Sequence, residues 1–154
     1  MDPRPISKET MQLLRRGYDA FSRRNLHALL AVCDPEIVFR PYVAQVDAVS
    51  YHGHEGLRDY LQSTAQALDE FSMTPQEFED LGDWLLVKGT LHTRGHGSGV
   101  EVERSWAQIL RLRRGRFLEW QTYGSEEEAL EAAQRSSRFD RTTGRNEART
   151  GCWR

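Results

Sequence analysis

Cysteine, lysine and long apolar runs are all scarce in this chain. Cys33 lies in an apolar helical pattern and Cys152 in a polar stretch. Two unpatterned cysteines make neither a disulfide framework nor a metal cluster, so both read as free thiols. Lys8 and Lys88 are the only lysines among 21 basic residues, and nothing mechanistic follows from that. No apolar run approaches the ~20 residues of a membrane span, and MDPRPISKET has no apolar segment able to serve as a secretory signal. The expectation is a cytoplasmic protein without a membrane partner. A net charge of −2 hides an asymmetry, because the arginines from Arg135 to Arg154 face only Asp140 and Glu147. The chain therefore divides into one domain over 1–134 and a basic tail over 135–154, whose polar, aperiodic composition predicts flexibility. With 154 residues, 38% of them hydrophobic, the chain can bury a core of ordinary size.

What is present begins with two helical patterns. Ser7 stands at an N-cap with Glu9 in the first turn, and Met11, Leu14, Tyr18 and Phe21 share one face. Asn25 caps a second run from Leu26 to Cys33, which Asp34-Pro35 stops. EIVFRP then reads as a short strand. Within SYHGHEGLRDYLQ (Ser50–Gln62), Gly53 leads into a third helix carrying Leu57, Tyr60, Leu61, Thr64 and Leu68 at helical spacing. Ser125 and Glu128 form a capping box ahead of Ala129, Leu130 and Ala133.

Between Phe71 and Gly124 the period changes to two. Trp84 opens one strand, GHGSG (95–99) breaks the chain, Val100–Leu112 is a long strand, and Arg114-Gly115 turns into Arg116–Tyr123. Short connections make these neighbours antiparallel. In the long strand Val102, Arg104, Trp106, Gln108, Leu110 and Leu112 form the more apolar face, predicted to point inward, with Trp120 inward from the last strand. For the strand from Trp84, hydrophobicity sends Leu85, Val87 and Leu91 inside.

This order of elements, with Tyr18, Pro41, Gly53 and Gly56 where they stand, resembles the ketosteroid isomerase-like (nuclear transport factor two-like) superfamily and, within it, the SnoaL-like proteins. The resemblance runs from Ser7 to Gln134. It implies an α+β fold: a cone-shaped, curved antiparallel sheet with N-terminal helices over its concave face, and a pocket at the mouth. It also sets the strand from Trp84 in the opposite register, turning Lys88 and His92 toward the pocket, and this is the register adopted. It further implies homodimers through the exposed sheet face.

The family's isomerases use an Asp base with a Tyr and a protonated Asp as oxyanion donors. Tyr18 matches the Tyr. The base position, ahead of Pro41, holds Arg40, which cannot take a proton. The second acid falls on Gln108, or on Ser105 in an alternative register. The acid that the family's cyclases use is missing from the same inward face. Known isomerase or cyclase chemistry therefore lacks its acids here, and no cofactor is expected.

What converges in the expected pocket is Tyr18, Arg40 and His92 as a catalytic set, with Lys88, Arg104, Trp106, Gln108 and Trp120 contacting a ligand. Cationic donors in an aromatic cavity suit a small hydrophobic carbonyl or anionic molecule. His92 would be the base for isomerisation, cyclisation or dehydration, with Tyr18 and Arg40 on the oxyanion. Each residue has a structural reading too. Tyr18, Trp106 and Trp120 serve as core aromatics, Arg40 and Arg104 as ion-pair partners of acids such as Asp34, Glu101 or Glu103, and Lys88 as a sheet-surface residue. His52 and His54 lack a third metal ligand with suitable spacing, so no metal is expected. LRLRRGRF lies across a hairpin without a recognition helix, which argues against nucleic acid. A ligand-binding module without turnover and a dimerisation or interaction module remain the alternatives to an enzyme.

Overall fold

Ser7 opens the first helix as its position demands, its hydroxyl accepting the N–H of Thr10 at 3.1 Å. Asn25 caps the second in the same way, accepting from the N–H of Ala28 at 3.2 Å. The computed structural model describes residues 4–41 and 50–136. In chain order these form α1 (Lys8–Ser22), α2 (Leu26–Val32), β1 (Cys33–Arg40), β2 (Tyr51–His52), α3 (Gly53–Ala67), β3 (Leu68–Asp80), β4 (Leu85–Gly95), β5 (Glu101–Arg113) and β6 (Arg116–Tyr123). A last helix, α4, occupies 126–136. Its capping box is formed, with Ser125 Oγ accepting from the Glu128 N–H at 3.2 Å. It runs across the expected boundary at 134. The rest of the expected tail, 137–154, lies outside the described residues.

The six strands make one sheet in the order β2-β1-β6-β5-β4-β3. The sheet is mixed, which corrects the all-antiparallel expectation, because β1 and β6 run parallel. A parallel pair needs a long crossover, and α3 with the three strands after it supplies one. The β5–β6 hairpin turns through Arg114 and Gly115, at φ 54° and 76°. Two central residues with positive φ match the twist of the flanking strands in a two-residue loop.

Each side of the sheet carries its own core. On the concave side Leu14, Tyr18 and Phe21 of α1, with Leu57 and Leu61 of α3, pack on Phe39, Val87, Trp106, Leu110, Phe117 and Trp120. On the other side Ala129, Ala132 and Ala133 of α4 close over Trp84, Leu86, Ala107 and Ile109. The helices are thus not all on one face. The sheet surface that the resemblance assigns to dimer contact is covered, at these four residues, by the chain's own last helix. Among the described residues no helix is long and apolar enough to cross a membrane.

Strand alternation settles the register of β4. Leu85 pairs with Leu110, Val87 with Gln108 and Leu91 with Arg104, whereas Lys88 pairs with Ala107 and His92 with Glu103. Leu85 and Val87 lie in the concave core and Leu86 in the other. The inward set is the one hydrophobicity selects. The register taken from the family resemblance is corrected, because it would have placed Leu85 and Val87 outside the larger core.

Candidate functional site

At the floor of the cone, one amide organises three other side chains. Gln108 is 1% exposed. Its Oε1 accepts the hydroxyl of Tyr18 and, at 2.7 Å, the indole N–H of Trp120. Its Nε2 donates to Thr122 Oγ1 at 2.8 Å. Two donors directed at one atom identify that atom as the carbonyl oxygen, whose two lone pairs are then both used. Tyr18 also stacks on Trp106, with ring centroids 5.6 Å apart and planes at 19°, and meets Trp120 edge-on at 5.3 Å. Burial pushes the Tyr18 hydroxyl well above the ordinary tyrosine value, against a smaller opposing effect of its contact with Trp120. The hydroxyl remains a neutral donor at physiological pH.

Above this floor lies a cavity of about 40 Å³, walled by Phe21, Phe39, Tyr60, Phe71, Met73, Leu91 and Trp106, with Pro41 at its rim and Arg104, Ser105, Gln108 and Thr122 as its polar members. It has room for a water or two, against the ~300 Å³ and more of a pocket for a drug-sized ligand. Among the described residues, none of these lining side chains is a carboxylate or an imidazole. Trp106 is 3% exposed and, among the described residues, its indole N–H has no hydrogen-bond partner. Aromatic contacts make the walls stiff: Phe39 and Tyr60 meet at 4.9 Å and Phe21 and Phe71 at 5.5 Å.

The structure thus brings together Tyr18, Trp106, Gln108 and Trp120, with Arg104 at the wall. Of Gln108 and Ser105, Gln108 is the one whose amide meets the Tyr18 hydroxyl. Three expected residues are elsewhere. Arg40 is exposed and stands in register with Gln121, on the face opposite Trp120, where its charge acts on Tyr123. Lys88 lies on the α4 side, 2.8 Å from Glu126 and 3.0 Å from Glu77. Those two carboxylates raise its pKa, Glu126 most. His92 sits 3.2 Å from Glu70, 3.7 Å from Glu101 and 3.8 Å from Glu103. It borders a different, open groove of about 350 Å³, together with Ser22, Arg23, Arg24, Asp69, Glu70, Phe71 and Ser72. The expected catalytic set of Tyr18, Arg40 and His92 therefore does not assemble. Each is displaced for the same reason: alternation gives the concave face to the apolar neighbours of Arg40, Lys88 and His92.

Other expected alternatives find definite partners. His54 donates from Nε2 to the Cys33 carbonyl at 2.9 Å, and among the described residues no group of three or more His, Cys, Asp or Glu is placed to hold a metal. Burial pushes the Cys33 thiol up to about 12, well outside the range of a reactive thiolate. In the arginine-rich hairpin, Arg113 contacts Asp34 and Glu36, each at 2.8 Å, and Arg111 covers Trp84 at 4.2 Å. Thr122 and the aromatic walls Phe21, Phe39, Tyr60 and Phe71 were not expected at the site. The signal for Thr122 was available, since it shares the parity of Trp120.

Similarity to known proteins agrees with this geometry. No curated protein matches the chain. Solved structures do. An NTF2-like protein of unknown function from Burkholderia pseudomallei superposes with a TM-score of 0.68 at 23% identity, covering 79% of this chain and 95% of that one. TerC, co-crystallized with polyporic acid, gives 0.67 at 18% identity, over 80% and 99% of the two chains. A putative SnoaL-like polyketide cyclase from Shewanella denitrificans gives 0.64 at 17% identity, over 84% and 99%. These likenesses establish the fold. The family model for the SnoaL-like domain matches residues 14–120, from the middle of α1 to Trp120 of β6, and the chain therefore belongs to the SnoaL-like domain family.

Proposed function

We propose that this SnoaL-like domain binds a small, flat, hydrophobic molecule that accepts hydrogen bonds, at the mouth of its cone, without the proton-transfer chemistry of the isomerases and cyclases. The observation that carries this reading is the donor inventory of the lining. Gln108 Oε1 is saturated by Tyr18 and Trp120. Among the described residues the indole N–H of Trp106 has no partner, and Arg104 adds a guanidinium at the wall. Arginine and indole can donate and cannot accept, so a carbonyl or carboxylate oxygen is the complementary group. With no carboxylate or imidazole among the described lining residues, nothing there can take a proton from carbon.

Aromatic walls add selectivity for a planar body. A cavity of about 40 Å³ admits only the leading atoms of such a ligand unless Tyr60, Phe71 or Met73 swings aside. The ligand in this reading sits in the mouth with its oxygen toward Trp106. The small volume also supports a second reading, in which the packed cone is the rigid core of an interaction domain.

A thermal-shift series with benzoate, naphthoate and a hydroxyquinone separates the two. A ligand at a hundredfold excess over its Kd adds about 2.7 kcal/mol of stability, or roughly 5–10 °C at this chain length. Trp106→Phe and Arg104→Ala should each reduce the affinity about tenfold. If none of the three compounds shifts the transition at millimolar concentration, the binding reading is wrong and the interaction reading stands. Turnover of a bound carbonyl compound by wild type but not by Trp106→Phe would overturn the non-catalytic part.

A further inference from the structure

Two backbone bonds close the corner between α1 and α2, from the Asn25 N–H to the Ala20 carbonyl at 2.9 Å and from the Arg24 N–H to the Phe21 carbonyl at 3.1 Å. Such a pair ends a helix with one residue in the left-handed region, where glycine is usual. Here that residue is Arg24, at φ 54°. Its Cβ makes the conformation costlier than it is for glycine, so an arginine here points to a role for its side chain. Arg24 is half-buried, with its guanidinium over the Phe71 ring, 5.8 Å from the centroid. Burial raises the Tyr60 hydroxyl above the ordinary tyrosine value, and the Arg24 charge works against it. Among the described residues no carboxylate pairs with Arg24. Asp19 bonds to Arg23 at 2.8 Å, Asp69 to His96 at 2.8 Å and Glu70 to Arg94 at 3.2 Å.

Among the described residues, Phe71 alone lines both the cone cavity and the open groove beside it. It stacks on Phe21 of the cone, with centroids 5.5 Å apart and planes at 29°, and it carries the Arg24 guanidinium of the groove. The backbone beneath it is fixed. Phe71 pairs with Thr93 and Ser72 with His92, while the Ser22 hydroxyl accepts the Met73 N–H at 3.0 Å and donates to the Met73 carbonyl at 3.2 Å. The movable part is therefore the half-buried phenyl ring. Rotation about its χ1 joins the cavity of about 40 Å³ to the groove of about 350 Å³, which brings the site into the size range of a small-molecule pocket.

We propose that Phe71 is a gate between cone and groove and that Arg24 is an anion subsite beyond it, so that the site takes a hydrophobic monocarboxylate with its apolar body in the cone and its carboxylate on Arg24. The subsite presupposes the ligand-binding reading of the cone and adds the far end of the ligand. A guanidinium lying on an aromatic ring keeps its edge N–H groups for a planar, two-oxygen acceptor. Drawing that guanidinium off Phe71 frees the ring to turn, which couples arrival of the anion to opening. Asp69 and Glu70 line the same groove and repel a second anion, so a dicarboxylate is a poor ligand.

The test titrates 5-oxo-5-phenylpentanoate and its uncharged methyl ester into the full chain and follows tryptophan fluorescence. The probe carries a ketone oxygen for Trp106 and, on a flexible chain, a carboxylate for Arg24. Wild type should prefer the acid at least tenfold. Arg24→Gly should cut that preference to less than twofold without lowering Tm, since glycine suits the left-handed corner. Phe71→Leu, smaller and still apolar, should raise the association rate of the acid at least threefold in stopped flow. An acid preference that survives Arg24→Gly and is lost in Arg104→Ala would put the carboxylate at the cone wall and overturn the subsite. Ester bound as tightly as acid by wild type would overturn it too, while leaving the cone reading in place. An association rate unchanged in Phe71→Leu would overturn the gate. Binding of neither probe at millimolar concentration would remove the cone reading and the subsite with it.

Discussion

Replacing Gln108 by Leu tests whether the cone floor is held by its hydrogen bonds or by its packing. The substitution keeps the side chain buried and of similar size while removing one acceptor and one donor. It strands the Tyr18 hydroxyl and the Trp120 indole N–H, both of which now end on Gln108 Oε1, and it releases Thr122, which is only part-buried at this contact. A buried donor left without a partner costs about 1–3 kcal/mol. Two such donors, less what the apolar side chain gains by burial, give a net loss of about 3 kcal/mol. At this chain length that lowers Tm by roughly 6–12 °C. Tyr18→Phe alone should cost about 1–2 kcal/mol, since it removes one of these bonds and keeps the ring stacked on Trp106. In the Gln108→Leu background the same change should cost nothing or stabilise, because it deletes the stranded hydroxyl. The two changes therefore couple by about 1–2 kcal/mol. Urea unfolding of all four proteins measures this, provided the slope of the transition is constant across them. Additivity within about 0.5 kcal/mol would refute the argument and show that Tyr18 and Trp120 are held by aromatic packing alone.

Three further outcomes follow from other parts of the molecule. A Cβ on Gly89 would stand 2.1 Å from the Thr74 carbonyl oxygen, 2.7 Å from Trp106 Cζ2 and 2.9 Å from Pro75 Cα, so Gly89→Ala should cost about 3 kcal/mol or more by overpacking, read as a fall in Tm. His92→Ala should change stability by less than about 0.5 kcal/mol and leave ligand binding in the cone unaltered, because His92 is on the other face; loss of binding measured by calorimetry would contradict that placement. Asp34 is held below the usual carboxylate range, first by its hydrogen bonds from Arg113. Its contribution is complete above the unfolded value of about 3.9 and is lost as pH falls through the lower folded value. Asp34→Asn should therefore cost about 1–2 kcal/mol at pH 7, allowing for the part-exposed arginine, and should flatten the loss of stability below about pH 4 in acid titrations.

Local physics made the helices legible. Ser7, Asn25 and Ser125 cap where a hydroxyl or amide oxygen ahead of an apolar period should cap, because those contacts are made within three residues. Parity in β5 was legible for the same reason. Alternation is a property of the strand itself, so Trp106, Gln108 and Leu110 could be assigned to one face without knowing their neighbours. The parallel pairing of β1 with β6 was not legible, since a parallel neighbour is chosen by the crossover between the two strands and leaves no mark on either of them. Nor was the seat of α4. Ala129, Ala132 and Ala133 show that the helix buries a face of small residues, and only the exposed side of Trp84, Leu86 and Ile109 says which surface receives it.

The case of β4 shows how two signals should be weighed when they disagree. The resemblance favoured Lys88 and His92 inward, and residue chemistry favoured Leu85, Val87 and Leu91. Turning Lys88 into the cone would bury an ammonium group beside Trp106 and Gln108, where the described residues offer it no carboxylate, while exposing Leu85 and Val87. An unpaired buried charge costs several kcal/mol, and two apolar side chains returned to water cost about 1.5–3 kcal/mol each. In the observed register Lys88 instead meets Glu126 and Glu77 at the margin of α4. A remote relative can shift by one residue in a strand without changing its fold, and a shift of one residue reverses every side chain. Burial energetics of this chain's own residues therefore outrank an alignment at the resolution of a strand's face. The same reasoning removes His92 from the cone and leaves its wall, among the described residues, without a carboxylate or an imidazole.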